Sequence, residues 1–144
     1  VFKRVLMVCI GNICRSPTAE VLLRHRMQGK DIVVESAGLA ALRGYPIDAT
    51  AQALLQEHGL DGTPHKARQL DREIVDAADL ILTMERKHLD GVLALAPHAR
   101  GKTFLLGKWL DDAGIPDPYR QSRSAFERAY QLINSGVSSW VPYL

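Results

Sequence analysis

The chain has 144 residues, 47% of them hydrophobic, which suits one domain with a sizeable core. Its net charge of +2 is nearly balanced and its basic residues form no long block, so a nucleic-acid partner has little support. No apolar run approaches the roughly 18 residues of a membrane-spanning helix, and Val5 to Ile10 is too short for a secretory leader.

The absence of an initiating Met reads as a processed or trimmed start. Two cysteines, Cys9 and Cys14, sit in one short stretch, which is no disulfide framework. Both thiols are expected free, in a reducing, cytoplasmic setting. His25, His58, His65, His88 and His98 show no zinc spacing with them, and no metal or other cofactor is expected.

In chain order, Val5–Cys9 is apolar without alternation, the pattern of a buried strand. Gly11 and Asn12, the residues that most easily take positive φ, follow in a tight loop. Pro17 then suits the first position of a helix with Ser16 as its N-cap. Ala19, Leu22, Leu23 and Met27 form its apolar stripe, and Gln28-Gly29-Lys30 ends it. Ile32–Ser36 reads as a second strand, and a loop runs from Ser36 to Pro46. Ile47, Ala51, Leu54, Leu55 and His58 mark a second helix, with Asp48 as cap, Gly59 as stop and His58 at its end. Asp61 to Arg68 is irregular. Asp71 caps a short helix with Ile74, Val75 and Ala78. Asp79–Met84 is a third strand, Leu89, Val92 and Leu93 lie on a further helix, and Thr103–Leu106 is a fourth strand. Asp111 to Gln121 is a long polar loop. Phe126, Ala129, Tyr130, Ile133, Val137 and Trp140 give a final amphipathic helix. Strands alternating with helices argue for an α/β fold, a parallel sheet covered on both faces with right-handed crossovers. The pattern leaves the strand order open.

The chemistry concentrates between the first strand and the first helix. A loop curled at a helix N-terminus turns its backbone N–H groups inward and cradles an anion. Cys9 opens that cradle, Ile10, Gly11, Asn12, Ile13 and Cys14 line it, and Arg15 closes it. A thiol ringed by N–H donors and a guanidinium is set up to react as thiolate. Arg15 can hold two oxygens of a tetrahedral oxyanion with its planar fork. A phosphocysteine needs a protonated leaving group, and the loop holds no acid. Asp117-Pro118-Tyr119, which read alone is an ordinary turn, supplies a candidate beside the Cys9 loop, with Pro118 fixing the backbone next to Asp117.

Val8-Cys9-Ile10-Gly11-Asn12-Ile13-Cys14-Arg15-Ser16-Pro17 resembles the phosphate-binding loop of the low-molecular-weight protein tyrosine phosphatases, and the resemblance covers essentially residues 1–144. It implies a single-domain, flavodoxin-like, three-layer fold with a four-stranded sheet of order 2-1-3-4. Asp117-Pro118-Tyr119 resembles the family's general-acid segment. Cys9 is then the nucleophile, Arg15 the phosphate holder and Asp117 the acid and base, with no metal, because the loop supplies the positive field. Ser16 matches a residue that steadies the thiolate, or simply caps the helix. Asn12 resembles the Asn that holds the cradle, and Ser36 and His65 match its supports; read alone, they are a strand end and a loop residue. His58 also matches a family position. Cys14 would trap oxidised Cys9 as a reversible disulfide, or it is a small packing residue.

Ile13, Leu42 and Tyr119 match wall positions that sandwich an aromatic ring. Related arginine phosphatases tend to carry Thr where Ile13 stands. Leu42, and Arg120 in place of a second Tyr, resemble the bacterial branch whose partners are autophosphorylating tyrosine kinases of exopolysaccharide export. Arg120 attracts an acidic, phosphorylated kinase tail, or is a solvated loop charge. A phosphotyrosine protein substrate, no membrane insertion and a monomer are the expectations. The rival readings are an arsenate reductase, although no further Cys is present for its relay, an arginine phosphatase, and a non-catalytic phosphate-binding or redox-sensing module.

Overall fold

The structure is a computed structural model and describes residues 2–144. Its elements run β1 (Arg4–Cys9), α1 (Arg15–Arg26), β2 (Val33–Gly38), α2 (Ala49–Glu57), α3 (Arg72–Ala77), β3 (Leu80–Thr83), α4 (Arg86–Leu95), β4 (Thr103–Leu105) and α5 (Arg123–Trp140). The four strands form one parallel sheet of order β2-β1-β3-β4, the expected arrangement.

Side chains alternate across β1 and divide the core in two. Val5, Met7 and Cys9 pack with Leu22 and Leu23 of α1, Leu54 and Leu55 of α2, and Phe126, Ile133 and Val137 of α5. Leu6 and Val8 face the other way, onto Val75 of α3 and Val92 of α4. Because both faces of β1 are covered, its five residues from Val5 to Cys9 are all buried and the alternation is invisible in the sequence. At the far edge, Gly136 lets α5 close on Leu106, whose side chain would lie 2.7 Å from an added Cβ, and the Trp140 indole donates to the Leu106 carbonyl at 2.9 Å.

Asp48 caps α2 by accepting from Thr50 N–H at 2.8 Å, and Asp71 caps α3 by accepting from Ile74 N–H at 2.9 Å. Gly29 and Gly59 take positive φ just after α1 and α2, as the stops require. The start of α1 differs from expectation. The helix begins at Arg15, with Cys14 at the N-cap and no side-chain cap bond, so Ser16 is not the cap and Pro17 is the third helical residue. The loop supplies its own backbone geometry, and Asn12 alone of the two candidates takes positive φ, at 59°; Gly11 does not.

β2 also runs beyond Ser36. Ala37 and Gly38 pair with Val8 and Cys9 instead of opening a loop. Gly38 lies directly beneath the cradle: a Cβ there would meet the Ile10 carbonyl oxygen at 2.3 Å and Asn12 Cβ at 3.0 Å. Gly38→Ala is therefore expected to lower the unfolding free energy by about 1–3 kcal/mol, as overpacking does; a urea unfolding curve for the variant checks this.

Candidate active site

β1 ends at Cys9, at the carboxyl end of a central strand, where open α/β sheets present their ligand sites. Residues 10–14 wrap from there to α1 and are held by neighbours on every side. Ile10 O accepts from Ala40 N–H, Gly11 O from Leu42 N–H and Ile13 O from Asp48 N–H, at 3.0, 3.0 and 2.8 Å.

Asn12 is the hub. Its side-chain amide donates to Ser16 Oγ at 2.8 Å and to Ser36 Oγ at 3.0 Å, and its Oδ1 accepts from Arg68 N–H at 2.9 Å. Its backbone carbonyl meets His65 Nε2 at 2.6 Å. Ser36 and His65 thus both reach Asn12. Ser16 Oγ lies 2.9 Å from Cys9 Sγ. Because that oxygen already accepts from Asn12, its own hydrogen is free to point at the sulfur.

Arg15 is 2% exposed. One guanidinium nitrogen, Nη1, donates to Glu85 Oε2 at 2.5 Å and to the Ile115 carbonyl at 2.8 Å. Both its hydrogens are used there, which leaves Nε and Nη2 for an oxyanion. Nη2 lies 3.5 Å from Asp117 Oδ2. The other Asp117 oxygen, Oδ1, accepts from Tyr119 N–H at 3.1 Å, and the Asp117 carbonyl accepts from the Gln121 side chain at 2.9 Å.

A cavity of about 190 Å³ opens over this group. The cradle from Cys9 to Arg15 forms its floor, and Ala40, Leu42, Asp117 and Tyr119 complete its wall together with Ile13. The arrangement can hold a tetrahedral anion against the thiol, keep a flat apolar group between Ile13, Leu42 and Tyr119, and deliver a proton from Asp117.

Cys14 is buried beside the cradle. Desolvation, then the carboxylates of Asp48 and Asp117, push its thiol well above the usual range. His58 sits elsewhere: its Nδ1 meets Leu54 O at 2.8 Å and its ring stacks on Tyr130 at 4.5 Å, which is a helix-end role. Among the described residues no group of three or more His, Cys, Asp or Glu side chains has metal-binding geometry, and no helix is long and apolar enough to cross a membrane.

Several residues of this site were not picked out from the sequence. Glu85 directly follows Met84 beyond β3, again at a strand carboxyl end, a position that could have flagged it. Glu20, which accepts from Ser36 Oγ at 2.5 Å, stands four residues after Ser16 on one helix face. Ile115 acts through its backbone carbonyl and leaves no side-chain signal, and Arg68 reaches Asn12 by its backbone N–H while its Nε donates to the Ser36 carbonyl at 2.9 Å.

His88 stands behind Glu85, fully buried, with Nδ1 accepting from Glu85 N–H at 3.0 Å, while Nε2 has no hydrogen-bond partner among the described residues and lies 3.7 Å from Glu85 Oε2. Burial, then the Arg15 charge, lower its pKa to about 4. A depressed folded-state value means the unfolded chain takes the proton first. Stability from neutral His88 is full above about pH 6.5 and is lost as pH falls towards 4, by up to about 1.4 kcal/mol per unit. His88→Asn, which keeps an acceptor for Glu85 N–H, is expected to flatten the loss over that window in urea titrations run at stepped pH.

Residues 4–144 match the family described as low molecular weight phosphotyrosine protein phosphatase. The low molecular weight protein-tyrosine-phosphatase Etp of Escherichia coli K12 is 46% identical over 143 residues, 99% of this chain and 95% of Etp. The structure of Vibrio vulnificus Wzb in complex with benzylphosphonate superposes with a TM-score of 0.96 at 43% identity and full coverage of both chains. The YwlE arginine phosphatase from Geobacillus stearothermophilus superposes with a TM-score of 0.91 at 31% identity, over 98% of this chain and 92% of that one. The chain belongs to the low molecular weight phosphotyrosine protein phosphatase family.

Proposed function

We propose that this chain hydrolyses phosphotyrosine through a phosphocysteine intermediate. The observation that carries the reading is the convergence of Cys9 Sγ, the free edge of Arg15 and the Asp117 carboxylate on one cavity with apolar walls.

In the first transfer the Cys9 thiolate attacks phosphorus, the S–P bond forms, and the P–O bond to the ring breaks. Asp117 gives its proton to the departing phenolate oxygen. In the second, Asp117 takes a proton from water, the water oxygen attacks phosphorus, and the S–P bond breaks to release phosphate and thiolate. Arg15 Nε and Nη2 and the N–H groups of residues 10–15 stabilise the equatorial oxygens in both steps. The Ser16 hydroxyl, oriented by Asn12, donates to the sulfur when it carries charge. This field is supplied by the protein, so the reaction needs no metal.

Ile13, Leu42 and Tyr119 wall a space suited to a phenyl ring. An arginine phosphatase is the runner-up reading, since that activity is named for a relative of the same fold. The apolar Ile13 favours an aromatic ring over a guanidinium, which would have to be desolvated against it. The physiological substrate we propose is an autophosphorylating tyrosine kinase of exopolysaccharide synthesis, acted on in the cytoplasm by a monomer. This rests on Leu42 and Arg120 at the wall and mouth, the features shared with that bacterial branch, and phosphate release from such a kinase's purified phosphorylated tail tests it.

Wild type is expected to release phosphate from a phosphotyrosine peptide with chelator present, and to prefer it to a phosphoarginine peptide. Cys9→Ser abolishes turnover, and Asp117→Asn slows it by about 10²–10⁴, the span of general acid catalysis. Folded wild type that binds phosphate without turnover would instead mark a binding module.

The two thiols are expected to differ in reactivity. With its thiol pushed up by burial and neighbouring carboxylates, Cys14 stays protonated at neutral pH. Iodoacetamide should therefore label Cys9 first, phosphate should protect it, and Cys14 should react only on unfolding, as read by peptide mass mapping. Under oxidant, Cys9 is then the sulfur oxidised first, while Cys14, held protonated, is a poor nucleophile for resolving it.

A further inference from the structure

The turn that carries the proposed acid holds a residue the chemistry above does not use. Pro118 O accepts from Gln121 N–H at 2.9 Å, closing a tight turn with Tyr119 and Arg120 at its centre. Arg120 takes φ 60° there, the left-handed region in which glycine or asparagine is comfortable and an arginine is strained. A non-glycine residue held in such a conformation beside an active site points to a use for its side chain.

The side chain is well placed for one. The Arg120 guanidinium carbon sits 5.2 Å from the centre of the Tyr119 ring, within cation–π range, and the Tyr119 ring lines the cavity. Arg120 is exposed, and among the described residues it forms no ion pair with a carboxylate. Arg15, by contrast, is paired with Glu85, and Arg123 with Glu57. An unpaired cation is therefore fixed against the wall of a pocket for a phosphorylated ring, outside the cradle that takes the phosphate.

We infer that Arg120, stacked on Tyr119, forms a second anion subsite at the cavity mouth and selects phosphotyrosine peptides carrying another anionic side chain close to the scissile residue. The inference rests on the phosphatase reading and adds the class of substrate to it. The recognised chemistry is a carboxylate or phosphate, since a guanidinium fork accepts either in a two-point bond. The stack on Tyr119 limits the freedom of the side chain before substrate arrives, which lessens the entropy lost on binding.

The test uses three phosphotyrosine peptides that differ at one neighbouring position, which holds Gln, Glu or a second phosphotyrosine. Phenyl phosphate serves as a substrate too small to reach Arg120. For wild type, the KM for the Glu and doubly phosphorylated peptides is expected to be about fivefold below that for the Gln peptide, the scale of an exposed charge pair. The gap should close near 1 M salt, where the Debye length is about 3 Å. Arg120→Asn, which keeps a residue tolerant of positive φ, should erase the gap while leaving phenyl phosphate kinetics unchanged; Arg120→Lys should retain most of it. Equal KM values for the three peptides, or a gap that survives in Arg120→Asn, would overturn the inference while phenyl phosphate turnover upheld the phosphatase reading. Absence of phenyl phosphate turnover in folded wild type would overturn both.

Discussion

The structure depends first on the way Asn12 is satisfied. A buried amide with unmet hydrogen bonds would cost about 1–3 kcal/mol per group. Asn12 is fully buried, and both hydrogens of its amide, its side-chain oxygen and its backbone carbonyl all have partners. Those partners come from α1, β2 and the segment between α2 and α3, so three parts of the chain meet on one residue in the left-handed conformation. The loop that cradles the anion has no regular structure of its own. Its shape is the shape these bonds impose, and Gly38 is the strand residue small enough to let them form.

Arg15 then ties that loop to the other half of the site. Placing a guanidinium in the interior is unfavourable unless its donors and charge are matched. Here the match is made by Glu85, just beyond β3, and by the Ile115 carbonyl at the entrance to the acid-bearing loop. Ile115 N–H in turn donates to Met84 O at 2.9 Å, so the loop is anchored to the sheet at the place where it meets Arg15. The same bonds decide which edge of the guanidinium faces the cavity. His88 supports the arrangement from beneath as a neutral ring, accepting the Glu85 N–H without adding a second positive charge beside Arg15.

Much of this was legible in the sequence because local chemistry and global fold agree. Continuous apolar strands, capped helices and Cys9 to Arg15 at a strand–helix junction indicate an α/β sheet with an anion site at its carboxyl end. Asp117-Pro118-Tyr119 stands out once a proton donor is sought. Legibility failed where a backbone group or a distant partner decides the outcome. Ser16 looks like an N-cap because Ser-Pro so often is one. In the fold its hydroxyl is engaged by Asn12 and Cys9, and α1 begins at Arg15, two residues before Pro17. Ser36-Ala37-Gly38 looks like a turn because small residues favour turns. In the fold they extend β2, and the small side chains leave room for the loop above. Glu85 shows only as a polar residue after an apolar run until Arg15 is seen against it.

The two cysteines show how one short loop separates similar groups by environment. Cys9 belongs to β1, faces the cavity and has a hydroxyl donor at 2.9 Å. Cys14 lies at the other end of the curl, where the loop passes under α2. There Asp48 caps that helix with its carboxylate while its N–H holds Ile13 O, which brings a negative charge close to the Cys14 thiol. Burial and this carboxylate act in the same sense and keep sulfur 14 protonated. The capping bond that starts α2 thus also helps to leave a single thiol available for nucleophilic attack. A second thiolate in the cradle would compete with the phosphoryl group for the same N–H donors and for Arg15, so suppressing it serves the chemistry as directly as activating the first.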